Sequence, residues 1–255
     1  MDIEEIQHEE DIWNEIFKKE LKKEKIEKFS SFWWEDYYGE ITQFVIENIL
    51  INLKNKNILE TWSWSWKSSI LIWNYANQIT LLDISENALK YANFLAEKFE
   101  VKNISTIKWN MFNMDLKDNS FDFTWNIWTI EHYNKEYIKR ILTEMIRVTK
   151  NNWYIALWFP NFYSWPIIKA WLNSKIPFLK WYKLDTEIFY SKKDIINLIN
   201  WIKWINIQDL KVNKFWNFMP IWTPKFLLFF CKKLENIFYN NKFLNFISFK
   251  IIKND

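Results

Sequence analysis

The stretch Ile58-Leu59-Glu60-Thr61-Trp62-Ser63-Trp64-Ser65-Trp66-Lys67-Ser68-Ser69 decides the reading of this chain. A short β-like run ends at Glu60, and a helical pattern begins a few residues later. Three indoles at alternate positions do not fit the tight turn between a buried strand and the helix that follows it. With glycine at Trp62, Trp64 and Trp66 the segment becomes a glycine-rich turn, through which a ligand can approach the backbone because no Cβ stands in the way. Asp83 closes the next β-like run, 21 residues after Trp62. An acid at that separation, on the tip of the second strand, accepts hydrogen bonds from a ribose diol. Solvated strand-end acids are the plain alternative for Glu60 and Asp83. Their joint placement around the turn favours the ligand.

Outward from this loop the chain alternates strands and helices. Residues 58–60, 79–83, 104–108, 121–126 and 154–159 read as strands. Between them, Ala88, Tyr91, Ala92, Leu95 and Phe99 share one helical face with Ser85 as N-cap, and Ile138, Ile141, Leu142, Met145 and Val148 share another. Such alternation predicts an α/β fold, a Rossmann-like doubly wound and mostly parallel sheet. Later, Ser191 to Asp194 reads as a capping box opening a helix to about Trp201. Residues 205–212 read as a sixth strand, 224–239 as a helix, and 246–252 as a seventh strand returning antiparallel at the edge. Residues 1–55 are expected to form N-terminal helices packing on the main domain of 56–255. Residues 162–190 are expected to form an insertion in that domain, aromatic and proline-bearing, as part of a lid over the bound ligand.

Composition narrows the function. The chain has 255 residues, net charge +3, one cysteine, one glycine and 19 tryptophans. The charge is too balanced for a nucleic-acid footprint, so no nucleic-acid partner is expected. One cysteine excludes a disulfide framework or a Cys-rich metal site, and no metal is expected. Residues 1–20 lack the order of a secretory signal, and no apolar run approaches the roughly 20 residues of a membrane span. The expected location is cytoplasmic. The apolar face Phe226, Leu227, Phe229, Phe230, Leu234, Ile237 and Phe238 suits packing on the sheet; it also suits a lipid-like acceptor or peripheral membrane contact. Average usage of roughly 7% would put about 18 glycines in a chain of this size.

With these motifs in order, the chain resembles the class I S-adenosylmethionine-dependent methyltransferases over about residues 58–161. Positions 60–66 match the first family motif, and Leu82-Asp83-Ile84-Ser85 the acidic second. Trp109-Asn110-Met111 falls where the family places residues beside adenine, with Asn110 in place of the usual acid. Residues 121–132, ending in Glu131-His132, resemble the fourth-strand motif of small-molecule members. Arg147 to Tyr154 resembles a turn with glycines at Asn152 and Trp153, and Pro160-Asn161 completes the series. The resemblance implies S-adenosylmethionine held by Glu60, Trp62, Ser63, Trp64, Trp66, Asp83, Ile84, Asn110, Met111 and Asn126. Asn126 has a second reading, as a cap on the end of its strand.

His132 and Glu131 are the catalytic candidates. If the acceptor is a hydroxyl, an imidazole at the carboxyl edge is its natural general base; the alternative is that the pair only orients the loop. Tyr37, Tyr38, Tyr133, Asn161 and Tyr163 are candidates for the acceptor pocket, and core packing is the plain reading of the aromatic ones. His8 reads as a solvated surface residue. The function expected is methyl transfer to a small-molecule or lipid-precursor acceptor, at oxygen or carbon. A protein or RNA methyltransferase and a non-catalytic cofactor-binding domain are the alternatives. Trp73, Trp109, Trp128, Trp153, Trp201 and Trp204 also stand at turns, helix ends or family glycine sites. We therefore expect a coding sequence that uses UGA for glycine, translated as if UGA meant tryptophan; Trp13 and one of Trp33 or Trp34 read as genuine. UGG codons at positions 62, 64 and 66 would sink that expectation.

Overall fold

The computed structural model describes residues 3–22, 37–50, 55–63, 66–164, 167–168, 187–215 and 242–254. Seven strands form one sheet: β1 (Lys56–Ser63), β2 (Ala76–Asp83), β3 (Ile104–Lys108), β4 (Phe121–Ile127), β5 (Thr149–Pro160), β6 (Ile205–Phe215) and β7 (Leu244–Lys253). Their order is β3-β2-β1-β4-β5-β7-β6. The first five pair in parallel, while β7 runs antiparallel to both of its neighbours. The antiparallel return therefore lies one place in from the edge, and β6 is the edge strand. This is the Rossmann-like, mostly parallel α/β sheet that the alternation predicts.

Ile58 and Leu59 are both fully buried but belong to opposite cores, as expected of a central parallel strand covered on both faces. One face carries α2 (Tyr37–Val45), α3 (Lys67–Ile72) and α4 (Glu86–Lys98); the other carries α5 (Lys135–Val148) and α6 (Lys192–Trp201). Helix α1 (Ile3–Lys22) packs on α4. Its Asn14 accepts from the Ser85 hydroxyl (2.8 Å) and from the Asn87 amide N–H (3.2 Å), and Glu10 pairs with Lys108 at 2.6 Å. Trp13 is half-buried, with its ring centroid 6.0 Å from that of His132.

The caps follow local chemistry. Ser85 accepts from the Ala88 N–H, and Ser191 and Asp194 form the expected reciprocal capping box. At the amino end of the sheet, Asp122 accepts from the Asn57 N–H (2.9 Å) and from Lys150 (2.8 Å), joining β1, β4 and β5. Arg147 ties the segment before β4 to α5 through the carbonyls of Met114 and Leu116, both at 2.7 Å.

Backbone handedness divides the tryptophans expected at glycine sites. Trp73 is right-handed, φ −54°, because the chain runs on into a 3-10 turn over Trp73–Tyr75 instead of stopping. Trp109, Trp153, Trp201 and Trp204 also lack positive φ, so their backbone makes no demand for glycine. Of the two positions matched to glycines in the turn before Tyr154, Asn152 is left-handed, φ 68°, and Trp153 is not. The helix expected at 224–239, Trp64, Trp33 and Trp34 lie outside the described residues, as does most of the insertion.

Candidate active site at the carboxyl edge

Thr61 of β1 pairs with Leu82 of β2 on one side and Asn126 of β4 on the other. This register sets Asp83 and Asn126 on either side of the end of β1. Asp83 is fully buried; its Oδ1 accepts from the Ser85 N–H at 2.8 Å, and its Oδ2 has no protein partner. Burial, against which two backbone N–H groups work, holds its carboxyl well above the usual range. Asn126 donates to the Thr61 carbonyl (2.8 Å) and hydroxyl (3.1 Å), locking β4 to β1, while its Oδ1 has no protein partner. The amide thus joins two strands rather than capping one.

Glu60 is buried within β1 and accepts a short hydrogen bond from the Ser69 hydroxyl of α3. Ile84 is buried, and Met111 is buried with its sulfur 4.0 Å from the Asn126 amide nitrogen. The side-chain oxygen of Asn110 accepts from the Phe112 N–H at 2.7 Å, which shapes the turn carrying Met111. Ser63 pairs with Ile127, and the register shift between Thr61 and Ser63 bulges the chain at Trp62.

After β4, a 3-10 turn over Ile130–His132 presents the catalytic candidates. Glu131 is 1% exposed, and its Oε2 has no protein partner. Burial, with a smaller contribution from the charge of Glu187, pushes its carboxyl up to about 8. His132 is half-buried beside Trp13. Tyr133 is buried and packs edge-on to Phe112 at 5.2 Å, and its carbonyl accepts from the Tyr190 hydroxyl at 2.9 Å.

The remaining acceptor-pocket candidates scatter. Tyr38 is buried in the other core, its ring 5.8 Å from that of Trp158, because the apolar stripe of α2 faces the opposite side of the sheet from Tyr133. Asn161 is buried and uses its backbone and amide N–H groups on the carbonyls of Phe243 and Lys242, both at 2.7 Å, so it fastens β5 to the approach to β7. Tyr163 is 70% exposed, and the Tyr37 side chain lies outside the described residues. His8 is exposed, as expected.

Two residues that the motifs do not mark belong to the site. Thr129 donates to the Trp62 carbonyl at 2.6 Å and so holds the end of β1 against the turn after β4. Glu187 comes to Glu131 through the bond from the Ile188 N–H to the Glu131 carbonyl, 2.6 Å. Nothing in the local sequence of the insertion signals that return.

The buried oxygens of Asp83 and Asn126 fit the hydroxyl and amine donors of a nucleoside-bearing ligand, since an unpaired buried acceptor is costly and gains from any donor brought to it. The loop after β1 does not fit. Trp62 is 2% exposed, and its indole completes a ring cluster with Phe112 (6.3 Å between centroids) and Tyr133 (6.0 Å), which occupies the space beyond the end of β1.

Residues 67–157 match the family described as a methyltransferase domain. The match begins immediately after Trp66 and leaves the loop outside it. No curated protein matches the sequence. Among solved structures, magnesium protoporphyrin IX methyltransferase from Synechocystis PCC 6803, with bound SAH, is similar at TM-score 0.63 and 11% identity, covering 96% of this chain and 98% of that one. A chain of the Haloferax volcanii complex containing the Trm112 methyltransferase activator is similar at TM-score 0.64 and 11% identity, covering 98% and 99%. A SAM-dependent methyltransferase from Methanosarcina mazei is similar at 0.57 and 18%, covering 83% and 98%. Residues 67–157 thus resemble a methyltransferase domain, and the chain shares its Rossmann-like fold with these methyltransferase structures.

Proposed function

We propose that this chain transfers a methyl group from S-adenosylmethionine to a small-molecule or lipid-precursor acceptor, at oxygen or carbon. The observation that carries the reading is the set of buried, protein-unpaired oxygens on Asp83, Asn126 and Glu131 along one sheet edge, with His132 beside them. In this reading Asp83 accepts from a ribose diol. Glu60, Ser63 and Ile84 support the approach of the cofactor, and Asn110 and Met111 lie beside the base. Glu131 is mostly protonated at neutral pH, so it donates a hydrogen bond and holds the turn, while His132 takes the proton that a hydroxyl acceptor must lose. Tyr133 walls the acceptor side. The chain meant is one with glycine in the loop after β1.

A second reading, transfer to protein or RNA, draws on the likeness to the chain held in the Trm112 activator complex. No helix among the described residues is long and apolar enough to cross a membrane, which leaves peripheral contact with a lipid-like acceptor open to test. The test is a screen of full-length protein, with glycine in the loop, using labelled S-adenosylmethionine against small-molecule, lipid and RNA fractions. Label is expected in the small-molecule or lipid fraction. Label in RNA alone would overturn the first reading in favour of the second.

A further inference from the structure

Helix α1 turns one stripe toward the body of the domain. Glu10, Trp13, Asn14 and Phe17, at the helical spacings i, i+3, i+4 and i+7, are buried or half-buried, whereas Asp11, Ile12, Glu15 and Lys18 are exposed. Three members of the stripe meet the ends of three strands. Glu10 pairs with Lys108 at the end of β3, 2.6 Å. Asn14 holds the turn after β2: its Oδ1 accepts from the Ser85 hydroxyl (2.8 Å) and the Asn87 N–H (3.2 Å), and its carbonyl accepts from the Asn87 side-chain amide (3.0 Å). Trp13 reaches the turn after β4, where its ring lies 6.0 Å from that of His132 and nearly perpendicular to it, at 78°. The fourth member, Phe17, fixes the helix on α4 through Tyr91, 6.0 Å between centroids.

Burial does not account for Trp13. Phe17, one turn on, is 2% exposed and supplies the buried ring of the stripe, and Trp13 is left half-buried against the turn after β4. The backbone of His132 is fixed by the bond from its N–H to the Thr129 carbonyl at 3.1 Å, but that bond does not set its two side-chain torsions. An indole edge-on to the imidazole does, because tilting the ring forfeits the contact. Trp13 is aimed in turn by its neighbour. Adjacent residues of a helix differ by about 100° in direction, so Asn14 bonded to Ser85 and Asn87 directs the indole toward the turn after β4.

We propose that Trp13 is a positioning residue for His132 and that Asn14 fastens it, so that α1 ties the turn carrying Asp83 to the group that takes the acceptor's proton. The proposal rests on the methyl-transfer reading. A general base works only with its nitrogen facing the departing proton, and holding it there supplies a large part of its effect. The proton passes from the acceptor hydroxyl to the imidazole as the oxygen attacks the methyl carbon and the carbon–sulfur bond breaks. The charge lost from the sulfonium then appears on the ring of His132.

The test uses full-length protein with glycine in the loop after β1, and compares it with Trp13→Phe, Trp13→Leu and Asn14→Ala. The chain has two histidines and His8 is exposed, so the imidazole proton signals of His132 are read by NMR against an internal reference. The indole is expected to displace the His132 signals by its ring current. Trp13→Leu and Asn14→Ala should return them toward those of His8, and Trp13→Phe should keep part of the displacement. Transfer of label from S-adenosylmethionine to the small-molecule and lipid fraction is expected to slow about 10–100-fold in Trp13→Leu and Asn14→Ala. S-adenosylhomocysteine affinity should hold in Trp13→Leu, and Trp13→Phe should keep most of the rate. A rate unchanged in Trp13→Leu, or lowered only in proportion to that affinity, overturns the proposal, as does a His132 signal that no variant moves. If Trp13→Leu does not fold, Asn14→Ala decides, and an unchanged rate there overturns the proposal. Signals that move as expected in a chain that transfers no methyl uphold the positioning of His132 and remove the methyl-transfer reading.

Discussion

Two neighbouring turns do the same job with opposite success. After β2 the chain must pass from a buried strand into α4, and Asp83, Ile84 and Ser85 supply what the passage needs. Asp83 accepts from the Ser85 N–H, Ser85 caps Ala88, and the Ser85 hydroxyl is anchored on Asn14. After β1 the chain makes the equivalent passage into α3, and the residues there oppose it. Trp62 and Trp66 are left-handed, Trp66 caps nothing, and Trp62 buries an unpaired N–H. Both turns lie on adjacent parallel strands under the same core, so packing demand does not separate them. The difference lies in the residue type at two left-handed positions.

The predictions sharpen that comparison. The largest effect belongs to the turn after β4: in the glycine-bearing chain, His132→Ala is expected to lower kcat by about 10²–10⁴-fold with little change in KM. Unchanged turnover would leave His132 as an orienter of the loop. Next, Asp83→Asn is expected to weaken S-adenosylhomocysteine binding by about 10–100-fold, as for the loss of charge-assisted hydrogen bonds. Calorimetric titration checks this, and equal affinity would show that the turn after β2 does only structural work.

A pH effect of intermediate size follows from Glu131. Its carboxyl is raised from 4.5 to about 8, so the folded state holds a proton that the unfolded state releases. Its contribution to stability is full below about pH 4.5 and is lost as pH rises through about 8. Urea unfolding across that window should show a fall on the order of a few kcal/mol, and Glu131→Gln should flatten it. An unchanged slope in the variant would assign the fall elsewhere; Asp83, raised in the same direction, is the first candidate. The smallest effect returns to the working turn: Ser85→Ala is expected to cost about 1–2 kcal/mol through the lost cap and the lost Asn14 bond, read from the unfolding midpoint.

Legibility in the sequence followed the range of the interactions. The strand at 104–108, the Ser85 cap and the Ser191–Asp194 box are set by neighbours a few residues apart, and the structure has them where the pattern predicts. The order of the last two strands was hidden, because β7 slots between β5 and β6 through pairings 84–98 residues apart with β5 and 29–48 with β6. Face assignment was hidden too: Tyr38 and Tyr133 are both aromatic and near motifs, yet they belong to opposite cores. Glu187 reaches Glu131 only because the segment after the insertion bonds back to the turn after β4. The tryptophan positions were half legible. Motif matching flagged Trp62, Trp64, Trp66, Trp109, Trp128 and Trp153 alike, and among the described ones only backbone handedness separates Trp62, Trp66 and Trp128 from the rest.

The central claim is that the carboxyl edge binds a cofactor once the indoles are gone from the turn after β1. Calorimetric titration of S-adenosylhomocysteine into two full-length chains tests it most directly: the chain as written, and the chain with Trp62→Gly, Trp64→Gly, Trp66→Gly and Trp128→Gly. The account predicts micromolar binding by the substituted chain and none by the chain as written. Micromolar binding by the chain as written would contradict it.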